Sequence, residues 1–154
     1  MTDDPFDGID LSSVSPQDFA DLVRNAPASQ LDEVMSDPGT RAMVLGEVFS
    51  RMGERYSGDR KTPAVIHWRI TDKPGGGADL FETVLDGTQC TVNTEPGHEP
   101  RATISLNGPQ FLKLASGNSS PTTMFFTGKV KISGDIGFAA GLANLFNIPK
   151  PQRR

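Results

Sequence analysis

The sequence predicts an α+β fold: a five-stranded, mostly antiparallel sheet covered on one face by helices, with extra helices at the N-terminal end. Three observations carry this expectation. Apolar residues recur at helical spacing from Ser15 to about Gly58; the period then drops from 3.6 to 2 at Thr62, and four strand-like runs follow; beyond Leu106 come two short helices, one more strand and a final helix. Helices and strands are segregated along the chain, which favours a helical layer packed on one face of a mostly antiparallel sheet.

Residues 1–14 are acidic and lack a long periodic pattern, so they are expected to form a mobile arm ahead of a single domain over 15–154. Ser15-Pro16 starts the first helix, with Ser as the cap and Pro in the first helical position. Phe19, Leu22 and Val23 form its apolar face, and Pro27 ends it. A short helix restarts at Ser29 and carries Leu31, Val34 and Met35. Asp37-Pro38 repeats the cap-and-proline signal. Leu45, Val48, Phe49, Met52 and Tyr56 then form one apolar stripe, with Gly58 as the expected stop.

Ala64, Ile66, Trp68 and Ile70 alternate with Val65, His67, Arg69 and Thr71, which reads as a strand. Pro74-Gly75-Gly76-Gly77 is a loop. Asp79–Asp86 and Thr88–Thr94 are two further strands, joined by the hairpin signal Asp86-Gly87. Pro96-Gly97 turns the chain into a fourth strand with Ala102, Ile104 and Leu106. Asn107-Gly108-Pro109 ends that strand and opens a helix, and Ser120-Pro121 opens another through Met124, Phe125 and Phe126. Gly128–Ser133 is expected as the fifth strand, followed by a helix capped by Asp135.

That last helix is the most informative segment. Ile136 to Pro149 carries no charge, and its apolar residues are not confined to one stripe. A helix that is apolar nearly all round must be covered on several sides, by protein, by a partner or by a greasy ligand. A chain of 154 residues is long enough for a substantial core. Charge is uneven: residues 1–59 carry a net −8 and residues 60–154 a net +4. A basic C-terminal part suits either ordinary solvation or contact with acidic ligands and anionic lipid headgroups. No basic run with interleaved aromatics points to nucleic acid. The single cysteine, Cys90, rules out an internal disulfide and fits a reducing cytoplasm. The acidic start lacks the apolar stretch of a signal peptide, and no apolar run is long enough for a membrane helix.

From Val65 to Ile148 the chain resembles the sterol carrier protein 2 family of lipid-binding domains. The resemblance rests on an ordered run: Phe111-Leu112 and Gly117, then Met124-Phe125-Phe126-Thr127-Gly128-Lys129-Val130-Lys131-Ile132-Ser133-Gly134-Asp135, then an Ala/Gly-rich apolar helix ending near Leu145-Phe146. The N-terminal helices look like those of small stand-alone bacterial members. The resemblance implies an apolar tunnel between sheet and helices. It also implies non-catalytic binding, with transfer inside the cell, of fatty acids, fatty acyl thioesters of coenzyme A, sterols or similar ligands. Ile66, Trp68, Ile104 and Ile132 are the lining expected from the sheet. Phe111, Leu114, Met124, Phe125 and Phe126 are expected from the middle helices, and Phe138, Leu142, Leu145 and Phe146 from the last. Gly137 and Gly141 either loosen that last helix as a lid or allow close packing against a neighbour. Some members carry Gln before the Gly-Lys pair; this chain has Thr127, so headgroup preference is not carried over.

An enzyme of lipid, steroid or polyketide metabolism using the same pocket is the alternative, and it needs a polar site. His67 is expected to face solvent and His98 to sit in a loop, neither with metal-ligand spacing or a carboxylate partner. Cys90 on a strand reads as a small core residue, and Tyr56 is the remaining candidate. No metal, cofactor or phosphate loop is expected. The partners expected are an apolar small molecule and, transiently, an anionic membrane surface, with monomer and dimer both open.

Overall fold

The computed structural model describes residues 15–58, 60–141 and 145–146. The expected arm over residues 1–14, Leu142, and the chain beyond Phe146 lie outside these described residues.

Three helices come first: α1 (Pro16–Asn25), α2 (Ala28–Ser36) and α3 (Pro38–Glu54). Four strands follow, β1 (Arg60–Thr71), β2 (Asp79–Gly87), β3 (Gln89–Asn93) and β4 (Ala102–Asn107). Then come α4 (Gly108–Ala115), α5 (Pro121–Phe126), β5 (Lys131–Gly134) and α6 (Ile136–Ala140). The caps are those the sequence predicts. Side-chain oxygens of Ser15, Asp37, Asn107, Ser120 and Asp135 each accept from a backbone N–H in the first turn of the next helix, satisfying a donor that the helix itself leaves unpaired.

Among the boundaries that differ from expectation, two have a clear structural reason. α3 ends at Glu54, four residues before Gly58. Tyr56 is buried beyond the helix end, and a Cβ on Gly58 would meet its hydroxyl at 2.3 Å. Gly58 therefore makes room for the Tyr56 ring rather than stopping the helix. The fifth strand begins at Lys131 instead of Gly128. Gly128 adopts φ 76°, and the N–H groups of Lys129 and Val130 both reach back to the Met124 carbonyl, so residues 128–130 form a tight turn.

The sheet order is β3-β2-β1-β4-β5, with β1 and β4 parallel and every other pair antiparallel. Cross-strand partners share a face. Ile66 pairs with Thr83 and Ala102, Trp68 with Phe81 and Ile104, and Ile104 with Ile132. These residues line the face that the helices cover. His67, Arg69, Glu82, Thr103, Ser105 and Lys131 occupy the other face, as the pairs His67–Glu82 and Ser105–Lys131 require.

The core is centred on Phe49 of α3. Its ring stacks on Phe81 at 4.2 Å and on Phe111 at 4.8 Å and meets Trp68 edge-on at 5.6 Å. Trp68 is buried without an orphan donor, because its indole N–H donates to Thr83 Oγ1 at 3.1 Å. Such aromatic pairs add about 0.5–1.5 kcal/mol each beyond their area burial.

At one end of this core lies a buried cation that the helical pattern conceals. Arg41, 2% exposed, shares the α3 stripe with Leu45 and Val48. Its guanidinium donates to Asp79 Oδ2 at 2.8 Å and to the carbonyls of Met35, Ile70, Thr71 and Asp72. It thereby clamps the C-terminal ends of α2 and β1 to the start of β2. Arg41→Ala is expected to lower the unfolding free energy by about 3 kcal/mol, since removing one partner strands the others. Urea denaturation measures this; a loss below about 0.5 kcal/mol would contradict the clamp.

Candidate functional site

The candidate site is the apolar contact zone between the helical layer and the covered face of the sheet. At the level of Ile66, Trp68 and Ile104 the strands present only apolar or hydroxyl side chains to the helices. The one ionisable strand residue nearby is Cys90, opposite Leu85, whose thiol burial pushes up to about 11. It stays neutral at physiological pH, which leaves it a packing residue rather than a nucleophile.

The expected lining residues divide into three groups. Ile66, Trp68, Ile104, Phe111, Leu114, Met124 and Phe146 are brought together and fully packed in one cluster. Phe125, Ile132, Phe138 and Leu145 pack against that cluster while half-buried, so they form its outer wall on the α5–β5–α6 side. Phe126 is not brought to the site and stands 80% exposed. Leu142 lies outside the described residues.

The wall is attached at both ends. Arg101 donates from Nε to Asp135 Oδ2 at 3.0 Å and lies 4.6 Å above the Phe138 ring. A backbone hydrogen bond from Phe138 N–H, with Arg101 alongside, holds the Asp135 carboxyl below the usual range. At the far end the Ser57 N–H donates to the Leu145 carbonyl at 2.9 Å, and Phe146 sits 6.0 Å from Tyr56. α6 itself has five residues, with Gly141 at its C-cap rather than in its interior. A Cβ at Gly137 would meet, among the described residues, nothing nearer than its own capping oxygen at 3.6 Å, so its missing side chain serves no close approach there. A helix this short owes its existence to packing and caps.

On the α3 side, a groove of about 480 Å³ opens between α3 and the β2–β3 hairpin, lined by Gly46, Phe49, Ser50, Gly53, Phe81, Cys90 and Val92 among others. A Cβ at Gly53 would make ordinary contact with Val92 at 3.5 Å. Phe49 and Phe81, which line the groove, belong to the same aromatic cluster. Thr127, where a headgroup contact was in question, spends its hydroxyl on the Thr123 carbonyl at 2.8 Å, closing the end of α5.

The polar chemistry lies on the opposite face of the sheet and was not expected. His67 is not solvated: it is 20% exposed and its Nε2 lies 2.9 Å from Glu82 Oε2. His98 Nδ1 lies 3.0 Å from Glu82 Oε1. The Asn93 amide and the backbone N–H groups of Gly97 and His98 complete five donors around a carboxylate with no exposure. Burial pushes the Glu82 pKa up. The bonds from His98, Asn93 and His67 outweigh that and hold it well below the usual carboxylate range. An ionised carboxylate only accepts, so His67 carries its proton on Nε2 and His98 on Nδ1. With its oxygens fully engaged, Glu82 is a latch on the β3–β4 crossover rather than a general base. Among the described residues no group of three or more His, Cys, Asp or Glu side chains is placed to hold a metal ion, and no helix is long and apolar enough to cross a membrane.

Comparison with known proteins gives a consistent picture. A family model described as the SCP-2 sterol transfer family matches residues 56–147. Sterol carrier protein 2 of Gallus gallus is 33% identical over 106 residues, 67% of this chain and 19% of that protein. Hydroxysteroid dehydrogenase-like protein 2 of Bos taurus is 27% identical over 130 residues, 83% of this chain and 31% of that protein. The chain thus spans a fifth to a third of the length of these curated relatives. Among solved structures, Sterol Carrier Protein 2 Like 2 of Aedes aegypti has the same fold. Its crystal structure gives a TM-score of 0.53 at 23% identity, covering 68% of this chain and 98% of that one. Its palmitated solution form gives 0.51 at 21%, covering 71% and 96%.

The latch has a testable consequence. Glu82→Gln keeps the shape but removes the charge and places an amide among donors. It is expected to cost about 2–4 kcal/mol at pH 7. The folded-state pKa of Glu82 lies below its unfolded value near 4.3, so its contribution is complete above that pH and is lost as pH falls towards the folded value. The gap between wild type and variant should therefore shrink from pH 7 to pH 3. Urea unfolding at both pH values reads it, and an unchanged gap contradicts the assignment.

Proposed function

The chain belongs to the SCP-2 sterol transfer family, and we propose on that premise that it binds and carries lipids, holding an apolar chain between helices and sheet without converting it chemically. The observation that carries the reading is the half-buried wall of Phe125, Ile132, Phe138 and Leu145, set against the apolar sheet residues Ile66, Trp68 and Ile104. Fatty acids, their coenzyme A thioesters and sterols all fit the chemistry of such a surface. Each methylene buried contributes about 0.8 kcal/mol, so a long acyl chain is held without a specific polar contact.

The floor of the site is the packed set Ile66, Trp68, Ile104, Phe111, Leu114, Met124 and Phe146. A ligand enters by displacing the wall rather than the floor, and α6 is the element that gives way, because it is short and carries Gly137 and Gly141. Phe126 takes no part in the lining. The palmitated Aedes aegypti protein supports a fatty acid as the first ligand to try. The protein works in a reducing compartment, where Cys90 remains a thiol.

One observation favours a related second reading. The dehydrogenase-like relative is matched over 31% of its length; on this second reading the chain is the lipid-holding part of a larger protein. This chain would still bind rather than react. Tyr56, His67 and Cys90 do not assemble a catalytic site: Tyr56 packs on Phe146, His67 serves Glu82 on the far face, and the Cys90 thiol is neutral.

Delipidated protein titrated with a fluorescent long-chain fatty acid should bind one equivalent saturably. Ile132→Glu, which puts a carboxylate into the wall, should weaken binding about tenfold or more, the equivalent of 1.4 kcal/mol. Absence of saturable binding by the wild type, or equal affinity in the variant, would sink the assignment.

A further inference from the structure

The surface around α5 combines an exposed phenylalanine with exposed lysines close by in sequence. α5 faces two ways within six residues: Met124 is buried, Phe125 is half-buried in the wall, and Phe126 is 80% exposed. The tight turn that follows is fixed by the N–H bonds of Gly128, Lys129 and Val130 to Phe125 and Met124 and by the buried side chain of Val130. Phe126 is therefore presented from a braced turn rather than a loose loop. Lys129 and Lys131 are both exposed beside it in sequence, and Ile136, at the start of the neighbouring α6, is 45% exposed.

Charge decides what such a surface can meet. Between Glu99 and Asp135 the chain has four cations, Arg101, Lys113, Lys129 and Lys131, and no acidic residue. Asp135, the next acid, is already paired with Arg101. An exposed phenylalanine followed closely in sequence by exposed lysines matches an interface that is apolar beneath and anionic on top, which is a membrane containing acidic lipids. A purely apolar partner would leave the lysines unmatched.

We propose that Phe126 inserts into the headgroup region of anionic bilayers, with Lys129 and Lys131 engaging acidic headgroups. This places the α5–β5–α6 wall at the membrane surface, where a lipid would pass between bilayer and protein. The proposal deepens the carrier reading and takes its purpose from it, but the docking itself is measured separately.

The full chain is sedimented with vesicles of phosphatidylcholine alone and of phosphatidylcholine with roughly a third phosphatidylserine. Wild type should prefer the anionic vesicles, and added salt should weaken that preference. Phe126→Ser should lower the vesicle affinity about tenfold. The double variant Lys129→Glu, Lys131→Glu should lose the preference for phosphatidylserine, at about fivefold per lysine, while its fatty-acid affinity in solution stays that of wild type. Vesicle binding that survives both variants overturns the proposal. So does a dimer, seen by analytical ultracentrifugation, that Phe126→Ser dissolves in a protein with no vesicle binding; the surface then belongs to a second copy. Loss of fatty-acid binding with vesicle docking intact would count against the carrier reading and leave the docking surface standing.

Discussion

The parallel pairing of β1 with β4 imposes a crossing that the rest of the molecule depends on. After the β2–β3 hairpin the chain stands at one edge of the sheet, yet β4 lies beyond β1 on the other side. Residues 94–101 must therefore pass across the outer face, and a buried carboxylate holds them there. Glu82 takes the backbone N–H groups of Gly97 and His98 together with both imidazoles. Three residues after this latch the chain reaches the α5–β5–α6 wall. The Arg101 N–H donates to Val65, its carbonyl accepts from the Asp135 N–H, and its side chain holds Asp135 and covers Phe138. The polar outer face thus fixes where the apolar inner face is closed.

This division of labour follows from the pleat. Successive residues of β1 point to opposite sides, so Ile66 and Trp68 serve the core while His67, between them, serves the latch. The arrangement keeps Glu82 and its histidine partners on the face opposite the candidate site without depleting the strands of polar residues. The Glu82 oxygens accept from two backbone N–H groups, two imidazoles and the Asn93 amide, and the candidate apolar site lies on the other side of the sheet.

Much of the fold was legible because its signals are local. The cap residues Ser15, Asp37, Asn107, Ser120 and Asp135 announce helices from within a few positions, and Asp86-Gly87 fixes a hairpin. What escaped depends on register between distant segments. His67, Glu82 and Asn93 form one row across β1, β2 and β3. The hairpin alone would have placed Glu82 opposite Asn93, but nothing local aligns β1 with β2. Arg41 was hidden for the same reason: its carbonyl partners come from α2 and from the residues at the end of β1. Of the lining residues that the resemblance implied, seven pack in one cluster, but the sequence did not separate Phe125 from Phe126. On a one-and-a-half-turn helix both are apolar and adjacent, and only the orientation set by the Gly128 turn puts one in the wall and the other in solvent.

The account turns on whether the space between sheet and helices accepts a lipid. Native mass spectrometry of the delipidated full chain, incubated with excess palmitate and then freed of unbound lipid, addresses this most directly. The account predicts a species heavier by one fatty acid that survives gentle desolvation. A spectrum showing only the unliganded mass, from protein shown to be folded, would contradict it.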